Sequence, residues 1–204
     1  DAQTTLLNRV KTETPLPESL KQGLRRVFGR DVTPAEAVAE ILADVRTRGD
    51  AALRDWTFRI DGVSLDGLKI DRAEMAAAAD GLPRDLLNSL KFAADRVRRF
   101  HQHQPLPSWT TTEMGGILGQ KMTPLSRVGV YVPGGTAPLP STLLMSAIPA
   151  QVAGVQDVVV ITPPQRGTGK VSDVILAAAH IAGIDTIYTL GGAQAIAALA
   201  FGTE

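Results

Sequence analysis

The pattern of apolar and polar positions changes character about halfway along the chain. Up to about residue 105, apolar residues recur at the spacing of three and four that is typical of amphipathic helices. The clearest example is the segment 83–103, whose apolar stripe consists of Leu86, Leu87, Leu90, Ala94, Val97 and Phe100. A shorter helical patch lies at 20–28. We therefore predict a helical N-terminal region over residues 1–105.

Helix starts in this region have capping signals. In the segment TPAE that begins at Thr33, the threonine can cap, the proline suits the first helical position, and Glu36 can reach back to the cap. Asp71 and Glu74 repeat the same spacing. Asp50 follows Gly49 and is predicted to cap the next helix.

After Pro105 the periodicity becomes that of strands alternating with helices. Residues 109–122 predict a β-hairpin that turns at Gly115 and Gly116. Further on, the pattern predicts strands at 128–132, 157–162 and 185–190, and helices at about 141–153, 171–182 and 193–201. Val- and Ile-rich strands without alternation are typical of a parallel sheet buried on both faces. The predicted fold class is therefore α/β, with a Rossmann-like parallel-sheet half over residues 106–204.

Two Gly-Gly pairs lie between a predicted strand and a predicted helix. Gly134 and Gly135 follow the first strand, and Gly191 and Gly192 follow the last. A helix N-terminus has unpaired backbone N–H groups, and open α/β sheets bind ligands beyond the carboxyl ends of their strands. One such pair alone is as easily a simple turn, but two of them predict a ligand cleft. Neither matches the G-x-G-x-x-G or the Walker pattern.

Polar residues beside these glycines are the candidate ligand contacts. Tyr131 ends the first strand, where filling the strand and facing a ligand are equally good interpretations. Gln194 lies in the first turn of an otherwise apolar helix, and its amide can both donate and accept, which favours ligand contact over a structural role. Ser141 and Thr142 are good N-cap residues. A contact with substrate would be additional to capping.

Composition narrows the classes of function. The 204 residues contain 21 basic and 21 acidic side chains, which argues against nucleic acid or a membrane surface as a partner bound by charge. No apolar run approaches the roughly 20 residues of a membrane helix. Cysteine is absent, which excludes a disulfide framework and a thiol nucleophile and fits the cytoplasm. His101, His103 and His180 are not spaced as a metal site, so we predict no catalytic residue and no metal ligand in this sequence.

Longer stretches of the sequence resemble the histidinol dehydrogenase family. They are RVGVYVPGGTAPLPSTLLM at 127–145, IPAQVAG at 148–154 and GGAQAIAALAFGTE at 191–204. The stretches DVRTRGDAAL at 44–53 and FRIDG at 58–62 are similar too. The resemblance covers nearly the whole chain but only the N-terminal half of the family's sequence. We therefore expect a fragment of a longer protein, incomplete as a fold and similar to one Rossmann-like half of an aldehyde dehydrogenase.

The resemblance implies a zinc-dependent enzyme that oxidises L-histidinol to L-histidine with NAD, through an aldehyde, as a cytoplasmic homodimer. Its NAD contacts correspond to Tyr131 and Gln194, and we place Gly134 and Gly135 in the same cofactor site. It implies that the zinc ligands and the proton-transferring Glu-His pair lie outside this chain, which we expect to be inactive alone.

Two alternatives remain open from the residues themselves. An aldehyde-dehydrogenase-like relative would have a similar fold, but it would need a cysteine nucleophile, and the sequence has none. A non-catalytic nucleotide-binding or assembly module would need no catalytic groups. Activity of the complete protein with histidinol and NAD distinguishes the enzyme from the module.

Overall fold

The computed structural model describes residues 16–64, 67–104, 107–134, 137–165 and 167–203. It contains two compact units, Asp1–Glu40 and Ile41–Glu204, and each is described by itself. The predicted division of the chain at about residue 105 stays a prediction. Within the described residues, no helix is both long and apolar enough to cross a membrane.

The first unit contains helix α1 (Glu18–Phe28) and the beginning of α2 (Pro34–Arg48). The predicted capping box at the start of α2 is confirmed. The backbone N–H of Thr33 donates to the Glu36 carboxylate at 2.7 Å, and the backbone N–H of Glu36 donates to the Thr33 hydroxyl at 3.3 Å. Two otherwise unpaired backbone donors are thus satisfied reciprocally.

The second unit contains the remaining six described helices. They are α3 (Asp50–Asp61), α4 (Arg72–Gly81), α5 (Arg84–Gln102), α6 (Pro140–Val152), α7 (Asp173–Ala182) and α8 (Gly192–Phe201). The predicted cap of α4 is confirmed, because the Asp71 carboxylate accepts from the backbone N–H of Glu74 at 2.9 Å. The predicted cap of α3 is wrong. Gly49 is the N-cap and Asp50 is already the first helical residue, with no capping hydrogen bond from a side chain.

Within the described residues, the main sheet of this unit has four strands, β1 (Lys69–Ile70), β4 (Arg127–Tyr131), β5 (Asp157–Thr162) and β6 (Ile187–Thr189), which lie in the order β1–β6–β5–β4. Strands β4, β5 and β6 are parallel, close to the predicted positions. Strand β1, which the sequence pattern did not predict, adds an antiparallel edge beside β6. The predicted hairpin is confirmed as β2 (Trp109–Thr111) and β3 (Leu118–Gln120), with Trp109 opposite Gln120.

The two faces of the main sheet are covered unequally. One face packs against α6 and α7 in a core that includes Val130, Val160 and Ile187. On the other face α8 approaches β4 so closely that a Cβ atom at Gly129 would clash with Leu199. Val159 on that face is only half-buried. Burial on both faces, as predicted for the strands, is therefore incomplete, and Val128 on the packed face is half-buried as well.

Candidate functional site

The carboxyl ends of β4, β5 and β6 lie side by side at one edge of the sheet. Pairing continues one residue past the strands, because Val132 N donates to the Ile161 carbonyl at 2.8 Å and Leu190 N donates to the Thr162 carbonyl at 2.9 Å. The loops that follow the three strands therefore leave the sheet together. This is the edge at which parallel α/β sheets bind their ligands. We call it the crevice, defined by Tyr131, Gly134, Thr162, Gly191 and Gln194.

Glycines allow these loops to pack closely. A Cβ atom at Gly134 would lie 2.7 Å from the Thr162 hydroxyl, and one at Gly191 would lie 2.6 Å from Cβ of Pro163. Both separations are shorter than real side chains tolerate. A side chain at either position would therefore displace a neighbouring loop.

Tyr131 connects the first loop to the start of α8. Its side chain is half-buried, and its hydroxyl accepts a hydrogen bond from the backbone N–H of Gly192 at 3.3 Å. Gly192 is the first residue of α8 and has φ 61°, in the region that favours glycine. Its N–H is one of the donors that a helix N-terminus leaves without an intrahelical partner.

Gln194 is fully buried in the first turn of α8, with 0% of its surface exposed. Both its Oε1 and its Nε2 lack a hydrogen-bond partner in the described part of the chain. A Cβ atom at Gly192 would lie 2.5 Å from Oε1, so the glycine backbone lies directly over the amide. A buried polar group left unpaired costs about 1–3 kcal/mol. An unpaired buried amide is therefore a candidate for a hydrogen bond to a ligand.

Thr162 has the same character and is the residue that sequence reasoning missed. It ends β5, is 0% exposed, and its hydroxyl has no partner among the residues described. The available signal was a hydroxyl residue at the carboxyl end of the run VVVI, immediately before two prolines. The crevice side chains Tyr131, Thr162 and Gln194 are all uncharged. They are suited to bind a ligand by hydrogen bonds and packing.

The predicted capping role of Ser141 and Thr142 is wrong. Helix α6 begins at Pro140, with Leu139 as its N-cap and no side-chain capping bond. Proline is pre-organised for the first helical position, so the helix starts earlier than predicted and both hydroxyl residues lie inside its first turn. Ser141 is exposed and Thr142 is half-buried. The predicted site residue Gly135 lies outside the described residues.

The histidines are spread over the second unit. His101 is in the last turn of α5, His103 follows as its C-cap, and His180 is exposed in the last turn of α7. Over the ranges that the structure describes, no three or more His, Cys, Asp and Glu residues converge as a metal site would require.

A groove of about 740 Å³ lies on the half-covered face of the sheet and is separate from the crevice. Val159, Ile161 and Tyr188 line it from the strands, and Ala195 and Leu199 line it from α8. Its lining does not include Tyr131, Thr162 or Gln194. We place the candidate site at the crevice, because three unpaired buried polar atoms of the described residues lie there: the Thr162 hydroxyl and both amide atoms of Gln194. Among the residues that line the groove, Asp50 contributes one such atom, its Oδ1.

These features define a class: an α/β protein with a Rossmann-like parallel sheet and a candidate ligand crevice at the carboxyl ends of its strands. The sequence model for histidinol dehydrogenase matches residues 26–204. The chain belongs to the histidinol dehydrogenase family.

Individual relatives show the same similarity. The histidinol dehydrogenase of Deinococcus radiodurans is 48% identical over 197 residues, which is 97% of this chain and 44% of the relative. That of Geobacillus kaustophilus is 52% identical over 169 residues, which is 82% of this chain and 40% of the relative. The crystal structure of histidinol dehydrogenase from Elizabethkingia anophelis is similar with a TM-score of 0.78 and 32% identity, over 93% of this chain and 44% of that one. The chain thus spans less than half the length of these relatives.

Proposed function

We propose that this chain is the N-terminal part of an enzyme that oxidises L-histidinol to L-histidine through an aldehyde, with two NAD as successive hydride acceptors. The observation that supports this most strongly is the family match over residues 26–204. The crevice adds a physical reason, because its buried polar groups have no partner among the described residues and lie at the edge where such sheets bind ligands.

The crevice residues fit a dinucleotide. Gly134 and Gly191 let the backbone approach a ligand closely, and the unpaired amide of Gln194 can both donate to it and accept from it. The Tyr131 ring, half-buried beside them, offers a packing surface. We propose Tyr131, Gly134, Gly135 and Gln194 as the residues that bind NAD. A dinucleotide held by these residues would supply the acceptor for the hydride that the substrate loses.

The described residues do not fit zinc, since they bring no suitable donor set together. We propose that its ligands and the proton-transferring pair belong to the part of the relatives' length that this chain does not span. Ser141 and Thr142, in the first turn of α6, remain our proposed substrate contacts. A cytoplasmic homodimer completes the proposal, with no nucleic-acid partner because the 21 basic and 21 acidic residues balance.

Histidinol-dependent formation of NADH tests this proposal. The complete protein, with a length like that of the relatives, is compared with the 204-residue chain alone. We expect NADH from the complete protein only in the presence of L-histidinol, and none from the chain alone. A complete protein that forms no NADH with histidinol would contradict the proposed activity. A chain that works at the full rate by itself would contradict the assignment of the catalytic groups to the remaining part.

A further inference from the structure

We propose that Thr162 is a further residue of the cofactor site, whose hydroxyl donates a hydrogen bond to an oxygen atom of the bound dinucleotide. This rests on the proposed function and adds a contact on β5, the strand between β4 and β6. Thr162 thus lies between the loop of Tyr131 and the loop of Gln194.

The hydroxyl of Thr162 is the polar group of this residue that the fold leaves unused. Its carbonyl already accepts from Leu190 N at 2.9 Å, as part of the sheet. Thr57, equally buried, shows how the same chain satisfies a threonine that has only a structural role. Its hydroxyl donates to the Leu53 carbonyl at 2.7 Å. Thr162 has no such bond among the described residues, so its burial lowers stability without a compensating contact.

Glycine covers both unpaired groups of the crevice. The backbone of Gly134 lies over the Thr162 hydroxyl, and the backbone of Gly192 lies over the Gln194 amide. The two loops are connected, because Tyr131, three residues before Gly134, accepts the hydrogen bond from Gly192 N. Both unpaired side chains thus lie at the same edge of the sheet, each next to a glycine backbone that a ligand can approach closely. A single extended ligand with several polar groups explains why the Thr162 hydroxyl and the Gln194 amide are both left unpaired at this edge.

The chemistry of the hydroxyl indicates what it contacts. A threonine hydroxyl is short, neutral and able to donate once. Diphosphate oxygens accept hydrogen bonds only, and ribose oxygens accept as well, so both parts of a dinucleotide offer a partner. Accepting that bond would remove the penalty that the unpaired hydroxyl imposes on the ligand-free protein.

The test measures NAD binding by calorimetry in the complete protein, together with the melting temperature of each variant. Thr162→Val keeps the shape and removes only the hydroxyl, Thr162→Ala removes it with less volume, and Thr162→Ser retains it. Thr189→Val is the matched control, since Thr189 is opposite Thr162 in the register of β6 and is also buried. We expect Thr162→Val and Thr162→Ala to weaken NAD binding about 3- to 10-fold. Thr162→Ser and Thr189→Val should stay within about 2-fold of the wild type.

Stability separates this role from a structural one. Thr162→Val should melt no earlier than the wild type, because it removes a buried group without a partner. Wild-type affinity for NAD in either folded variant without the hydroxyl would overturn the inference, and so would an equal loss in Thr189→Val. If the wild-type protein itself does not bind NAD, the proposed cofactor site fails as a whole. Failure of the Thr162 contact alone leaves wild-type binding intact, so the two failures are distinguishable.

Discussion

The packed face of the sheet and the crevice at its end are formed by the same strands, but they differ in the kind of side chain that they bury. On the packed face, Val160 and Ile187 are fully buried among other apolar side chains. At the crevice, Thr162 and Gln194 are just as deeply buried, yet their polar atoms have no partners in the described structure. The core is therefore complete without a ligand, whereas the crevice is not. We therefore expect substitutions in the first region to change stability and substitutions in the second to change ligand binding.

The largest expected effect lies in the core. Ile187→Ala in β6 should lower the free energy of unfolding by about 2–5 kcal/mol, because it leaves a cavity between the sheet and its covering helices. The affinity of the folded fraction for NAD should be retained. Denaturant unfolding gives the first quantity and calorimetry the second. Loss of NAD affinity without loss of stability would break the division between core and crevice.

The next effect is in the glycine loops. Gly191→Ala places a methyl group against Pro163, so it should cost about 1–3 kcal/mol of stability through overpacking. It should also weaken NAD binding, because the loop after β6 must shift. Gly81→Ala is the matched control, since a Cβ atom there meets nothing within 4 Å. Equal melting temperatures for the two variants would show that the loops are not closely packed.

A polar cluster away from the crevice gives a contrasting case in which every partner is present. The Asp44 carboxylate accepts from Arg48 and, at 2.8 Å, from the Trp56 indole N–H. The hydrogen bonds from Arg48 are the main cause of a pKa of Asp44 below its ordinary value. A carboxyl whose pKa is lower in the folded state stabilises the protein above its unfolded-state pKa, and this contribution is lost as the pH falls through the folded-state pKa.

Asp44→Asn should therefore cost on the order of 1 kcal/mol at neutral pH, because Arg48 and Trp56 lose a charged acceptor. Melting temperatures of wild type and variant, measured from neutral to acid pH, check this. The difference between them should shrink as the pH falls through the acid range where aspartate titrates. A difference that stays constant down to the lowest pH would contradict the assigned pKa shift. NAD binding should be unchanged throughout.

The smallest effect separates the Tyr131 ring from its hydroxyl. Tyr131→Ala removes the aromatic packing surface and should weaken NAD binding by about 0.5–1.5 kcal/mol. Tyr131→Phe keeps the ring and removes only the acceptor of the Gly192 N–H, so it should retain most of the affinity. Titrations of both variants with NAD decide the point. If Tyr131→Ala melts earlier but binds NAD as the wild type does, Tyr131 only stabilises the fold.

Local signals account for what the sequence predicted well. The three parallel strands follow from Val- and Ile-rich runs, and the start of α2 follows from the spacing of Thr33 and Glu36. Strand β1 was missed because two residues have no periodicity, and it exists through pairing with Tyr188, more than a hundred positions away. The half-covered face of the sheet could not be predicted for a related reason. A Val-rich run indicates that a strand can be buried, but it does not show which other elements pack against each face.

In the crevice, too, some features follow from local sequence signals and others depend on tertiary packing. The Gly-Gly pairs after strands led to the proposal of a site at this edge of the sheet, because glycine in a strand-to-helix loop has a local structural meaning. The unpaired state of Thr162 could not be predicted, because whether a buried hydroxyl finds a partner depends on tertiary packing. Thr57 and Thr162 are the same residue type at the same burial, and only the structure shows that one is paired and the other is not.

The most direct test of the crevice as the NAD site is a calorimetric titration of the complete protein and of its Gln194→Met variant. Methionine keeps the length of the side chain but removes the amide, so the crevice loses a buried unpaired group and the ligand loses a partner. We predict that the variant melts no earlier than the wild type and binds NAD with an affinity lower by about 1–2 kcal/mol. Equal NAD affinity in the two proteins would contradict the account.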